Sequence, residues 1–385
     1  MAEKIKVGVV GLGFIGPAHI EAIRRLGIAE VVAVADIAGA KEKAEALGVE
    51  YAYEDWRDML EHEGLQSVHV CAPNNFHYEI SKAALEKGLH VVCDKPLSMT
   101  VEEAEDLVRI AKEAKGVSAL HFNVRYYPLI HQVREMVKNG DLGEIFAING
   151  SYLQDWLQLE TDYSWRLEPE FTGDSRAIAD IGSHWCDAVE YMTGLRMDRV
   201  CADFATFHKT RKKPAKPVAS YSGMLLKPED YVDVPIQTED YASVLFRMDN
   251  GAHGSLTVNQ AYAGRKNRIY FEICGSKASI AYDTERPNEM WIGKRESNNE
   301  IILKDPSRVY PGAQAVIGFP GGHCEGFPDT SKYLFKEFYS YIAEGKKEKG
   351  IPASFPTFED GLRELQLCSA MVASSREEQW RNVNN

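Results

Sequence analysis

Residues 4–16 read KIKVGVVGLGFIG, and a second apolar run, EVVAVAD at 30–36, closes on Asp36. The first run has the pattern of a short buried strand. Gly11, Gly13 and Gly16 follow as G-x-G-x-x-G, with Phe14 and Ile15 inside the motif, at the turn into a helix. In that arrangement the first glycine permits a tight turn, the second lets backbone approach a pyrophosphate, and the third lets helix and strand pack closely. The helix N-terminus adds free N–H groups and the positive end of a dipole. Asp36 ends the next strand, where a carboxylate can accept both hydroxyls of an adenosine ribose. Strand, turn, helix, strand and acid occur in order, so the stretch reads as a dinucleotide site rather than a structural glycine turn.

Working outward, residues 1–125 alternate strand and helix patterns, which implies a parallel sheet with helices on both faces. The strands are expected at 5–10, 30–36, 67–72, 89–94 and 117–122, and the helices at 15–27, 39–47, 76–87 and 100–115. Thr100 and Glu103 form a capping box at the start of the last helix. Right-handed crossovers bring the carboxyl ends of these strands to one edge, where ligands bind.

After Pro128 the pattern changes. A helix is expected at 128–139, then strands at 144–155, 198–208, 238–248, 252–260, 267–275 and 278–283, with Asp249-Asn250-Gly251 as a hairpin turn. One helix interrupts them at 176–193, and helices return at 331–344 and 357–376. The fold class is therefore α/β. An N-terminal domain spans 1–125, and a C-terminal α+β domain with a large, mostly antiparallel open sheet spans 126–385, its last helices free to pack back on the first domain. One face of that sheet needs a cover, and another subunit is the natural one. The basic segment 209–217, KTRKKPAKP, reads as a solvated connection between strands.

The composition narrows the partners. A net charge of −13 over 385 residues disfavours nucleic acid and anionic membranes. No apolar stretch is long enough to span a bilayer, and MAEKIKV lacks the apolar core of a signal peptide. Seven cysteines with no C-x-x-C pair suit a reduced cytoplasmic protein without structural zinc.

Three places carry chemistry. Asp94-Lys95-Pro96 follows the apolar strand LHVVC, so Lys95 sits at the ligand edge, able to hydrogen-bond a substrate hydroxyl and favour its alkoxide. Asp180 and His184 are four apart within a helix and share a face, where a carboxylate beside an imidazole makes a proton acceptor. Asp187 either orients His184 or caps nearby backbone. The third place is a set of aromatic and polar residues suited to a polyhydroxylated ligand: Asn123, Arg125, Tyr126, Trp156, Tyr163, Trp165 and Arg166. The glycine-rich FPGGHCEGF loop at 319–327 adds His323. A metal site at His323, Cys324 and Glu325 has little support, because adjacent residues rarely ligate one ion.

GLGFIG, then Ala72-Pro73-Asn74 with His77, then Asp94-Lys95-Pro96, then Asp180 with His184, resemble the glucose–fructose oxidoreductase / inositol dehydrogenase / rhizopine catabolism (Gfo/Idh/MocA) family along essentially the whole chain. The resemblance implies a Rossmann domain, an α/β domain whose open sheet serves oligomerisation as a homodimer or homotetramer, a tightly held NAD(P), and sugar or cyclitol substrates. It implies that Lys95 is the lysine of the family's E-K-P motif and that Asp180 and His184 are its acid/base pair. It also implies that Pro73 and Asn74, with His77, lie in the loop that passes under the cofactor. Arg166 is assigned to the cofactor, and Asn123, Tyr163 and His323 to the substrate. One departure is Asp94, where the family usually has glutamate.

Asp36 favours NAD over NADP, because a 2′-phosphate beside it meets like charge. Residues 37–40 offer no arginine, and Lys41 is the nearest cation along the chain. The expected reaction is hydride transfer between a secondary hydroxyl of a sugar or cyclitol and nicotinamide. Whether His184 or Lys95 is the proximal base stays open. The rivals are a glycosidase or lyase that cycles bound NAD without net oxidation, and a non-catalytic sugar or dinucleotide sensor.

Overall fold

The computed structural model describes residues 3–215 and 227–383. The chain divides into two compact units, Met1–Tyr126 with Phe327–Leu365, and Tyr127–Gly326 with Gln366–Asn385.

The first unit opens with β1 (Ile5–Val10), α1 (Ile15–Arg24), β2 (Ala29–Ala35), α2 (Ala40–Leu47), β3 (Tyr51–Tyr53) and α3 (Trp56–Leu60). It continues through β4 (Ser67–Val70), α4 (His77–Glu86), β5 (His90–Cys93), α5 (Val101–Glu113) and β6 (Ser118–Leu120). The strands form one parallel sheet in the order β3-β2-β1-β4-β5-β6. Every residue of β4 is buried, as expected of a strand covered on both faces. The reversal of strand order between β1 and β4 makes the switch point at which such sheets take ligands. At α5, Thr100 Oγ1 accepts from the Glu103 N–H (3.2 Å) and Glu103 accepts from the Met99 N–H (3.0 Å), so the capping box forms one residue wider than its usual pattern. The pair β3 and α3 escaped the sequence reading because YAY and WRDML are too short to show a period.

The second unit contains α6 (Pro128–Lys138), β7 (Ile145–Leu153), the short α7 (Pro169–Thr172), a π-helical turn (Ile178–Gly182) and α8 (Ser183–Thr193). Then come β8 (Met197–Ala205), β9 (Thr210–Pro214), β10 (Tyr231–Pro235), β11 (Tyr241–Met248), β12 (His253–Asn259), β13 (Arg268–Gly275), β14 (Ser279–Asp283), β15 (Glu289–Gly293), β16 (Glu300–Leu303) and α9 (Pro311–Gln314). After α10 (Phe327–Ala343), which belongs to the first unit, α11 (Phe358–Glu377) and β17 (Arg381–Asn382) end the described chain. Nine strands form one sheet, in the order β16-β15-β14-β13-β7-β12-β11-β8-β17. Only β7 and β12 run parallel in it. Burial alternates along β11 and β13, so one face is core and the other carries residues such as Leu245, which is 53% exposed.

The helix covering the core face sits where it does for a visible reason. Trp185 stacks on Phe271 and donates to the Tyr270 carbonyl (2.8 Å) directly over Gly150. A Cβ at Gly150 would come within 2.6 Å of the Trp185 ring nitrogen. The missing side chain lets α8 lie flat on the sheet.

Two expectations need correction. The helix over 176–193 is not one regular helix: the Ser183 N–H reaches back five residues to the Ile178 carbonyl. The segment 209–217 is not a solvated connection either. Residues 210–214 pair with β10, and Arg211 is fully buried against Asp240 at 2.9 Å. Residues 216–217 lie outside the described residues. Among the described residues no helix is long and apolar enough to cross a membrane.

Candidate active site

In the first unit the three glycines of the loop have three different surroundings. Gly11 has φ +89°, and a Cβ there would meet the Cys71 carbonyl oxygen at 2.5 Å. A Cβ on Gly16 would meet the Gly11 carbonyl oxygen at 2.1 Å, which is the close helix–strand contact. Gly13 faces open space, with nothing within 4 Å of the Cβ position. Phe14, the N-cap of α1, is 62% exposed. Ile15 opens α1. These features fit a pyrophosphate laid across the loop.

Asp36 lies just past β2 with its carboxylate already engaged. One oxygen accepts from the Leu12 N–H (2.7 Å), the other from the Ala38 N–H (3.0 Å), and Lys43 lies 2.9 Å away. Lys43, two residues beyond Lys41 on α2, is therefore the cation that pairs with Asp36.

His77 is buried, with one ring nitrogen 2.6 Å from the Pro96 carbonyl and the other 2.8 Å from the Ala72 carbonyl. It thus clamps the Pro73–Asn74 loop to the Lys95–Pro96 loop, rather than facing outward. Burial pulls its pKa below the ordinary histidine value, although both carbonyls and Asp94 favour the protonated ring. Lys95 is half-buried at the carboxyl end of β5, and its bond to Pro96 is cis.

Beneath Lys95 runs a buried polar line that the sequence reading missed. His121 Nδ1 lies 3.1 Å from Asp94 Oδ1, and His121 Nε2 lies 2.9 Å from Ser331 Oγ. His19 Nε2 is 3.3 Å from His121 Nδ1, and His19 Nδ1 is 2.9 Å from His69 Nδ1. His69 Nε2 reaches the Tyr339 hydroxyl (2.8 Å), which meets Ser67 (3.2 Å). One assignment of tautomers closes the line. His121 Nδ1–H donates to Asp94, His19 Nδ1–H to His69, and His69 Nε2–H to Tyr339. His19, Asp94 and His121 bring ligand-type atoms within 4.8 Å of one another, and this assignment accounts for their contacts by hydrogen bonds alone. Burial lowers His19 well below the usual range and pushes His69 down to about 3. Burial alone would raise Asp94, but the His121 hydrogen bond and the neighbouring positive charge hold it well below the usual carboxylate range.

Asn123 is also buried in this unit, where its amide donates to Thr330 (2.7 Å). Arg125 pairs with Asp360 at 2.6 Å, and Tyr126 donates to Glu337. These three tie the segment after β6 to α10 and α11.

In the second unit, Asp180 stands on the π turn and His184 on the first turn of α8, where its exposure is 8%. Gln260 donates to Asp180 Oδ2 at 2.8 Å, and Arg166 Nε lies 3.8 Å from the other oxygen. Gln260 is itself fixed: Arg176 donates to its carbonyl oxygen at 2.6 Å, which forces the amide nitrogen towards Asp180. Arg176 in turn donates to Asp240, and all three of these supporting residues are at most 1% exposed. Arg166 thus stands beside Asp180, with its guanidinium 4.6 Å over the Trp165 ring. Tyr163 packs under Lys213 (5.4 Å), and burial raises its pKa. Trp156 donates to Gln154 at 2.8 Å. The 319–327 loop is pinned from below by a buried Lys304–Glu325 ion pair (2.6 Å), with Lys304 also donating to the His323 carbonyl (2.8 Å). The His323 side chain itself is exposed.

Residues 5–122 match the oxidoreductase family with an NAD-binding Rossmann fold, and residues 130–281 match the GFO/IDH/MocA C-terminal domain. The chain belongs to the Gfo/Idh/MocA family. A levoglucosan dehydrogenase from Pseudarthrobacter phenanthrenivorans is 29% identical, over 99% of this chain and 98% of its own. A myo-inositol 2-dehydrogenase from Thermotoga maritima is 27% identical, over 73% and 76%. A solved levoglucosan dehydrogenase in complex with NADH and L-sorbose superposes with a TM-score of 0.87 at 28% identity, covering both chains fully. As a Gfo/Idh/MocA member, the chain is an oxidoreductase with an NAD-binding domain whose relatives include sugar and inositol dehydrogenases.

Proposed function

We propose that this protein is an NAD-dependent dehydrogenase that moves hydride between a secondary hydroxyl of a pyranose sugar or cyclitol and nicotinamide. The observation that carries the reading lies within one unit. The open glycine turn after β1 and the half-buried Lys95 after β5 share the carboxyl edge of one parallel sheet. When bound, NAD supplies the hydride acceptor. His184 takes the hydroxyl proton as hydride leaves, with Asp180 orienting its imidazole. Lys95 donates a hydrogen bond to the same oxygen and stabilises its developing charge. Asn123, Tyr163 and His323 are the proposed sugar contacts, and Arg166 the proposed cofactor contact. The exposed face of the nine-stranded sheet is the proposed contact of a cytoplasmic homodimer or homotetramer.

The test is to mix the protein with NAD and a panel of inositols, aldoses and anhydrosugars and follow NADH absorbance. NADH accumulates with a member of the panel. Lys95→Ala and His184→Ala each lower turnover by roughly 10²–10⁴-fold while NAD affinity stays nearly intact. Unchanged turnover in both variants contradicts the mechanism, and substrate consumption without NADH contradicts the dehydrogenase reading.

A further inference from the structure

We propose that Lys43 is a cofactor-selectivity residue: its ammonium, held at Asp36, also meets a 2′-phosphate, so the protein accepts NADP alongside NAD. The inference rests on the dinucleotide reading of the glycine loop and deepens it.

An acidic residue at the end of the second strand selects NAD in two ways, by accepting ribose hydroxyls and by repelling a 2′-phosphate. Both effects are weakened here. An ionised carboxylate has about four acceptor directions, and three donors already occupy Asp36: the Leu12 N–H, the Ala38 N–H and the Lys43 ammonium. Little acceptor capacity is left for two ribose hydroxyls. The repulsion is blunted as well, because a positive charge stands 2.9 Å from the negative one.

The lysine side of the pair is also free to adjust. The Asp36 side chain is 11% exposed and fixed by two backbone N–H groups, whereas the Lys43 side chain is 39% exposed on the first turns of α2. Its four-carbon stem can swing the ammonium without moving backbone. If the ammonium turns towards a phosphate it stays beside Asp36, which keeps both backbone donors, so an ammonium–phosphate contact forms while the loop stays in place. The two residues after Asp36 are not packed against it as buried bulk: Ala38 is small, and Ile37 is 85% exposed.

The experiment is titration of the full-length protein with NADH and, separately, NADPH by nucleotide fluorescence, which needs no substrate. For the wild type the expected result is a Kd for NADPH within about tenfold of that for NADH, a gap near 1.4 kcal/mol. Lys43→Ala and Lys43→Met weaken NADPH by about tenfold or more and leave NADH within about twofold, a loss of the size expected for one ammonium–phosphate contact. Added salt erodes NADPH affinity more than NADH affinity in the wild type, and this difference shrinks in the variants. An NADPH-to-NADH ratio that both variants leave unchanged overturns the inference, as does a wild type that rejects NADPH by a thousandfold. Failure of NADH itself to bind overturns the dinucleotide reading instead, and this inference falls with it.

Discussion

Two buried polar networks end at carboxylates in this protein, and they are made of different materials. In the first unit, Asp94 is backed by imidazoles and hydroxyls: His121, His19, His69, Tyr339 and Ser67. In the second unit, Asp180 is backed by an amide and permanent charges: Gln260, Arg176 and Asp240, with Arg211 on the same aspartate. Histidines pushed out of their ordinary range by burial make the first network responsive to acid. Burial also lowers Arg211, but an arginine pKa starts so high that the second network keeps its charges across the working range. The contrast shows two ways to hold a carboxylate anion still in a protein interior. One depends on the proton count, and the other does not.

His69→Phe is the substitution with the largest expected effect on this contrast. It keeps the ring volume but strips the acceptor from His19 and the donor from Tyr339. Each buried group left unsatisfied costs roughly 1–3 kcal/mol, read as a lower urea midpoint at pH 7.5. The same variant tests the acid response. The folded pKa of His69 is about 3, against 6.5 for an ordinary histidine. As pH falls below 6.5 the unfolded chain takes up the proton first, so stability is lost between pH 6.5 and 3, at up to about 1.4 kcal/mol per pH unit per histidine. His19 acts with the same sign, and Asp94 with the same sign further into acid. Urea midpoints measured from pH 7.5 to 4.5 should fall less steeply in His69→Phe than in the wild type. A wild type that becomes more stable on acidification would remove the distinction.

Gln260→Ala is the smaller perturbation and probes the other network. Asp180 loses the donor at 2.8 Å that fixes it, while the Arg176–Asp240 pair survives. The expected loss is about tenfold in kcat, or 1.4 kcal/mol, with the Kd for NADH unchanged and Gln260→Asn recovering part of it. An equal loss of NADH affinity would mean that Gln260 acts on the fold of the unit and not on Asp180.

Much of the first unit was legible because its signals are local. A glycine spacing, a strand ending in acid and a T-V-E-E cap each act within a few residues, and the structure realises all three. The π turn at 178–182 left no signal, since five-residue and four-residue hydrogen bonding differ by one bond and not by composition. Arg211 misled because KTRKKPAKP is basic throughout, and only the tertiary position of Asp240 singles one arginine out for burial. The histidine line and Gln260 join residues between 27 and 272 positions apart. Their one trace in the sequence is polar residues set inside apolar runs, such as His69 within SVHV. Lys43 was hidden behind Lys41, because helical geometry and not sequence distance decides which cation faces Asp36.

The proposed reaction requires the Lys95 ammonium and the His184 imidazole to act on one hydroxyl group. The direct measurement is a crystal structure of the protein with NADH and a sugar that supports turnover. The account predicts the Lys95 ammonium and the His184 imidazole both within about 3.2 Å of the same substrate oxygen, with the carbon bearing it facing C4 of the nicotinamide. A sugar held by one of these groups while the other points into a separate cavity would contradict it.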